Sequence, residues 1–168
     1  MIRKCRNSDI SRIYYIVNEA AKAYDGAIPA DCYHKPYMPM PELEAEMKRM
    51  TFYGWEEDGE MTGVMAVEPV KDVTLIRHAY VLTKKQKSGI GSALLKYLLT
   101  LVKTERLLVG TWGDAGWAVR FYEKHGFQLT ADRQTKDTLL RTYWVISERQ
   151  VETSVVLELT TRNDNIEI

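Results

Sequence analysis

The residues best suited to chemistry in this chain are Gln86-Lys87-Ser88-Gly89-Ile90-Gly91-Ser92. They form a glycine-rich turn between an apolar segment ending at Val81-Leu82 and an amphipathic run from Ser92 to Val102. Such a turn opening a helix is an anion site. First-turn N–H groups have no helical partner and point outward with the positive end of the helix dipole, and glycines let a phosphate approach them. The implied ligand is a phosphate ester. Two common readings fail on spacing: a dinucleotide fingerprint needs a third glycine where Leu94 stands, and a P-loop needs Lys-Ser or Lys-Thr after its last glycine, whereas Lys87-Ser88 precede the glycines. Lys84, Lys85 and Lys87 cluster beside the turn, as a solvated face or as a screen for phosphate charge.

A second segment, Trp117-Ala118-Val119-Arg120-Phe121-Tyr122-Glu123-Lys124-His125-Gly126-Phe127, follows after a helix and a strand. The pattern Gln-x-x-Gly-x-Gly at Gln86 to Gly91 resembles the acetyl-CoA pyrophosphate loop of the GCN5-related N-acetyltransferases (GNAT superfamily), and the segment from Trp117 resembles that family's second signature. The resemblance runs from about Ile2 to Leu159 and implies a single α/β domain over 1–160, with 161–168 as a frayed tail. The implied fold is a mixed, mostly antiparallel sheet with helices on both faces and two splayed parallel central strands. It further implies acetyl-CoA as cosubstrate, with the amide of Val81 facing the thioester carbonyl as an oxyanion donor. Amides from Lys87 to Ser92, including those of Ser88, Gly89, Ile90 and Gly91, would cradle the pyrophosphate, and Gln86 would shape the loop. Tyr122 matches the family tyrosine proposed to protonate the departing thiolate. The chain departs from the family at Ala115, where an asparagine often holds the pantetheine arm; Asp114 or Thr111 is a candidate substitute, although a loop aspartate also suits a helix cap.

The general base is less explicit. By alternation Val73, Leu75, Arg77, Ala79 and Val81 share the face expected to meet the cofactor, and Thr74, Ile76, His78 and Tyr80 share the other. His78 is thus a candidate base only if a bulge resets the register; otherwise it is a packed histidine. An inward Arg77 needs an anion, either a substrate carboxylate or an acidic side chain such as Glu68. The aromatic stretch from Ala27 to Met40, with Tyr33, His34 and Tyr37 and the preceding Tyr24, is the expected acceptor wall, or else packing under a long loop. Trp112 and Trp117 are expected in the core.

These groups need elements to hold them. Helical spacing of Ile10, Ile13, Val17, Ala20 and Tyr24 predicts a first helix capped by Ser8 and ended at Asp25-Gly26, and a second starts at Pro41 and buries Leu43, Met47 and Met50. Asp58-Gly59 and Pro69 to Asp72 mark turns joining strands at Thr51 to Glu57, Glu60 to Glu68 and Val73 to Val81. A helix from Gly89 to about Val102, a strand at Leu107 to Trp112, a helix from Trp117 to His125 ended by Gly126, and a strand at Phe127 to Ala131 follow. One or two helical turns in Thr135 to Tyr143 and a last strand at Val151 to Leu159, free to pair between subunits, complete the order.

Composition narrows the classes. The 168 residues are 45% hydrophobic and carry 23 basic against 23 acidic side chains, so no charge footprint for nucleic acid or anionic membrane exists. No apolar leader or spanning run is seen, which predicts a cytoplasmic protein. Cys5 and Cys32 are isolated and read as reduced thiols outside both signatures, and His34, His78 and His125 lack metal-ligand spacing, so no metal is expected. The expected activity is acetyl transfer to a primary amine, of a small molecule or peptide, by direct attack in a ternary complex. The alternative is a non-catalytic acyl-CoA-binding or sensing module. Monomer and homodimer stay open.

Overall fold

The computed structural model describes residues 1–161; the frayed tail expected from the sequence lies almost wholly outside them. Thr161 itself is tied down, its amide donating to Glu105 O at 2.6 Å. Contacts divide the chain into two units, Met1–Glu68 with Ile76–Leu101 and Pro69–Leu75 with the residues from 102 on. Among the described residues seven strands form one mixed sheet, mostly antiparallel with one parallel pair.

In the first unit β1 (Ile2–Lys4), β2 (Thr51–Glu57), β3 (Glu60–Val70) and the later part of β4 (Val73–Val81) follow one another in the sheet. The β2–β3 hairpin turns where expected, because Asp58 (φ 51) and Gly59 (φ 76) both take the left-handed conformation that a tight two-residue turn requires. Helix α1 (Ile10–Ala20) buries Ile13, Ile16, Val17 and Ala20. Asp9, not Ser8, organises its start: the carboxylate accepts the Arg6 amide at 2.6 Å and two Arg3 guanidinium bonds at 2.9 Å. A 3-10 turn, Ala21–Tyr24, carries the chain into the aromatic stretch, and α2 (Met40–Arg49) begins after Pro39 with Pro41 in its first turn. Residues from α1, α2, β2 and β3, among them Ile13, Val17, Leu43, Phe52, Val64 and Ala66, form the core with Leu82. Helix α3 (Ile90–Leu99) covers Gly63 so closely that a Cβ there would lie 2.8 Å from Ile90 Cγ2.

In the second unit β4 contributes residues 73–75, joined by β5 (Arg106–Trp112), β6 (Gln128–Leu129) and β7 (Ser154–Thr160). Strand β7 lies between β5 and β6, so its edge carries β6 and is not free along its length for a partner subunit. Helices α4 (Gly116–Lys124), α5 (Arg133–Tyr143) and α6 (Glu148–Thr153) complete it. Helix α5 is 11 residues long, more than the one or two turns expected, because Asp132 caps it through the Thr135 amide at 2.9 Å and Leu140 buries against Leu108, Val73 and Trp144. Helix α6 was not anticipated; Ser147 and Gln150 form a capping box that starts it and delays the last strand to Ser154. No helix among the described residues is long and apolar enough to cross a membrane.

Candidate active site

Within the first unit the glycine-rich loop is held by its own chain and by α1. Beyond β4 the Leu82 amide donates to Thr62 O at 3.0 Å, and the 3-10 turn Thr83–Lys85 follows. Glu19 of α1 accepts both the Thr83 amide, at 2.9 Å, and the Thr83 hydroxyl. Gln86 Nε2 folds back to donate to Val81 O at 3.3 Å, and Ser88 Oγ donates to Lys85 O. Lys87 (φ 63) and Gly89 (φ 85) take left-handed conformations, and Gly89 stands at the N-cap of α3, where it has no side chain to cap the helix. A Cβ at Gly89 would meet nothing within 4 Å. An open, glycine-floored helix start with uncapped amides fits a pyrophosphate. Ile90 is buried against the Gly63 position and serves as an anchor for Gly91 and Ser92 in the first turn. Of the lysines, Lys85 reaches Glu57 at 3.8 Å.

Upstream on β4, His78 has φ 49, a left-handed residue inside a strand. Consecutive side chains then reach the same carboxylate: Arg77 NH2 lies 3.7 Å and His78 Nε2 3.5 Å from Glu46 Oε1 of α2. The strict alternation expected from the sequence therefore fails at His78. Arg77 and His78 share a face, and Val81 instead points at Gly63 beside Ile90 and Leu94, away from the Leu82 side. The physical reason is the positive φ at His78, which breaks the extended-backbone rotation on which alternation depends.

Five charged or ionisable groups meet here. Glu46 Oε2 accepts Arg49 NH2 at 2.6 Å; Glu68 of β3 takes Arg77 NH1 at 3.3 Å and Arg49 Nε at 3.4 Å. Arg77 thus has the Glu68 partner that the sequence offered as one of its two possibilities. Burial pushes the Glu46 carboxyl up, but His78, Arg77 and Arg49 outweigh it and hold it below the usual carboxylate range. His78 moves the other way: burial drives its imidazole below the ordinary histidine value, Glu46 opposes this, and Arg77 adds to it. The lowered imidazole favours its neutral form, which is the form able to accept a proton. Nε2 is buried and closes no hydrogen bond among the described residues. The ring lies parallel to Phe52 (5.8 Å between centroids, 4°) and close to parallel with Tyr80 (6.5 Å, 20°).

Tyr80 connects His78 to the aromatic stretch. Its ring meets Tyr24 edge-on at 6.1 Å and Tyr37 at 6.5 Å, and Tyr37 in turn stacks near Tyr33 (6.4 Å) and His34 (6.5 Å). His34 Nδ1 is 2.9 Å from Pro36 O. Asn18 of α1 pins the end of the stretch, accepting the Met38 amide at 2.8 Å and donating to Met38 O at 3.0 Å. Burial lifts the Cys5 thiol to about 12, which makes it a poor nucleophile.

Tyr122 belongs to the second unit, on α4, 5% exposed, with its ring edge-on to Phe121 (5.1 Å) and Phe127 (5.5 Å). Gly126 (φ 91) ends the helix as expected. Ala115 is fully buried and stands at the N-cap of α4, where its methyl group offers no side-chain cap bond. Trp112 is buried, but Trp117 is 42% exposed and does not join the core as expected. Sequence reasoning missed Glu46, Arg49, Phe52 and Tyr80. One signal was available for Glu46: it stands three residues after Leu43 and four before Met50, on the buried stripe of its helix, where a carboxylate needs a partner.

Comparison with known proteins agrees with this geometry. Residues 15–145 match the family described as the acetyltransferase (GNAT) domain. A curated relative, N-acetyltransferase family 8 member 3 of Rattus norvegicus, is 29% identical over 113 residues, covering 61% of this chain and 49% of that protein. The chain therefore spans about half the length of the curated relative it matches. Among solved structures, the PaiA N-acetyltransferase of Thermoplasma acidophilum in complex with coenzyme A superposes with a TM-score of 0.73 at 16% identity, covering 96% of this chain and 98% of that one. The ribosomal-protein-alanine N-acetyltransferase of Brucella melitensis gives 0.69 at 13% identity, covering 96% and 99%. These likenesses establish a shared fold. With the family match extending across both signatures and the helix and strand between them, the chain belongs to the GNAT acetyltransferase family.

Proposed function

We propose that the chain is an acetyl-CoA-dependent N-acetyltransferase that acts on a primary amine by direct attack in a ternary complex. The observation that carries this reading is the half-buried His78, facing Glu46 on the same strand that leads into an open anion cradle. Acetyl-CoA supplies the activated acyl group as a thioester. Amides from Lys87 to Ser92 hold its pyrophosphate, and the Val81 amide donates to the acyl oxygen as that oxygen gains negative charge. His78 takes the proton that the attacking amine must lose. Tyr122 gives a proton to the departing sulfur. The acceptor lies against Tyr33, His34 and Tyr37, whose rings continue through Tyr80 to His78. Arg77, held by Glu68 and Glu46, shapes the floor beneath.

Thermal unfolding with added ligands tests this reading. Acetyl-CoA and CoA at a hundredfold excess over their dissociation constants should each stabilise the protein by about 2.7 kcal/mol, and ATP should not. Thiol release over a panel of primary amines should then appear with acetyl-CoA. Stabilisation without thiol release would instead assign a CoA-binding module, and absence of stabilisation by either CoA species would overturn both.

A further inference from the structure

We propose that Glu46 is a positioning residue that fixes His78 in the tautomer protonated at Nε2 and so leaves Nδ1 as the proton-accepting atom. The inference rests on the reading of His78 as base and adds which atom acts and what selects it. The two oxygens of Glu46 are differentiated. Oε2 is occupied by Arg49 at 2.6 Å, while Oε1 faces His78 Nε2 at 3.5 Å and Arg77 at 3.7 Å. A carboxylate accepts only, so the imidazole nitrogen facing it must carry the hydrogen, and the lone pair is left on the other nitrogen. Rotation of the ring is opposed by its parallel packing on Phe52 and by Tyr80. The charged and titratable groups around the ring are Glu42, Glu46 and Arg49 from α2, Glu68 from β3, and Arg77 and Tyr80 from β4. Nε2 closes no hydrogen bond among the described residues, and Glu46 Oε1 at 3.5 Å is the carboxylate oxygen it faces.

Glu46→Gln makes the test sharp. Arg49 donates to Oε2 and therefore retains the amide oxygen, which turns the amide NH2 toward His78; that group donates, so Nε2 must become the acceptor. Long-range 1H–15N correlation spectra of the full chain labelled in histidine report the tautomer directly, with His34, His78 and His125 assigned by single substitutions. The expected result at pH 7.5 is Nε2–H in the unmodified protein and in Glu46→Asp, and Nδ1–H in Glu46→Gln. In amine acetylation Glu46→Gln should lower kcat roughly 100-fold, leave the KM for acetyl-CoA unchanged, and recover in Glu46→Asp. Nδ1–H in the unmodified protein overturns the proposal even if no variant folds, and so does one tautomer common to the unmodified protein and Glu46→Gln. Full activity of His78→Gln would overturn the base reading on its own, leaving the tautomer result intact.

Discussion

The glycine-rich loop and the His78 pocket lie in the same unit and are built in opposite ways. The loop presents backbone: its features are positive φ at Lys87 and Gly89, an uncapped helix start, and side chains such as Gln86 and Ser88 that bond back to the loop's own carbonyls. The pocket presents side chains drawn from α2, β2, β3 and β4, and its chemistry depends on charges that reach it across many residues of sequence. The difference teaches where each can be damaged. A backbone site fails when its conformation is forbidden, whereas a side-chain site fails when one partner's charge or hydrogen is lost.

That contrast is open to attack in order of expected effect. His78→Ala should lower kcat/KM by about 10²- to 10⁴-fold while calorimetry finds the CoA dissociation constant unchanged; loss of both together would join the two sites that the account separates. Gly89→Val should do the reverse. A left-handed conformation costs a β-carbon residue about 1–2 kcal/mol, so CoA affinity should fall about tenfold, with kcat at saturating acetyl-CoA close to normal.

Stability against pH sharpens the pocket's side of the comparison. Glu46 is held below its ordinary value, so its contribution is present above the usual carboxylate range and is lost as pH falls through the lowered value. His78 is also lowered, so its neutral form favours the fold most fully above the ordinary histidine value and less as pH drops below it. Both signs agree: urea midpoints should fall on acidification from pH 7, more steeply in the unmodified protein than in Glu46→Gln. The smallest effect is expected at Lys87→Ala. A solvated lysine adds charge without fixed geometry, and CoA affinity should weaken by about twofold and less at high salt.

The same contrast explains what the sequence reveals. The order of strands and helices and the loop from Gln86 to Ser92 were legible because their signals are local: Asp58-Gly59 for a tight turn, glycines before an amphipathic run, Gly126 at a helix end. Local signals were also missed, at the Ser147–Gln150 capping box and in the length of α5, where burial of Leu140 extends what propensity leaves ambiguous. The pocket was only half legible. Alternation assigned Arg77 to one face and His78 to the other, and a single positive φ brings both to the same carboxylate. Nothing adjacent to His78 announces Glu46, because the pair forms only when α2 closes over β4. An acidic residue on the buried stripe of a helix was the available warning.

The most direct test of the account is the pH dependence of kcat/KM for amine acetylation by the unmodified protein and by His78→Gln. The expected result is an acid limb below the ordinary histidine value of about 6.5 in the unmodified protein, absent from His78→Gln, whose rate is far lower. Superimposable profiles of equal height would contradict the assignment of His78 as the proton acceptor.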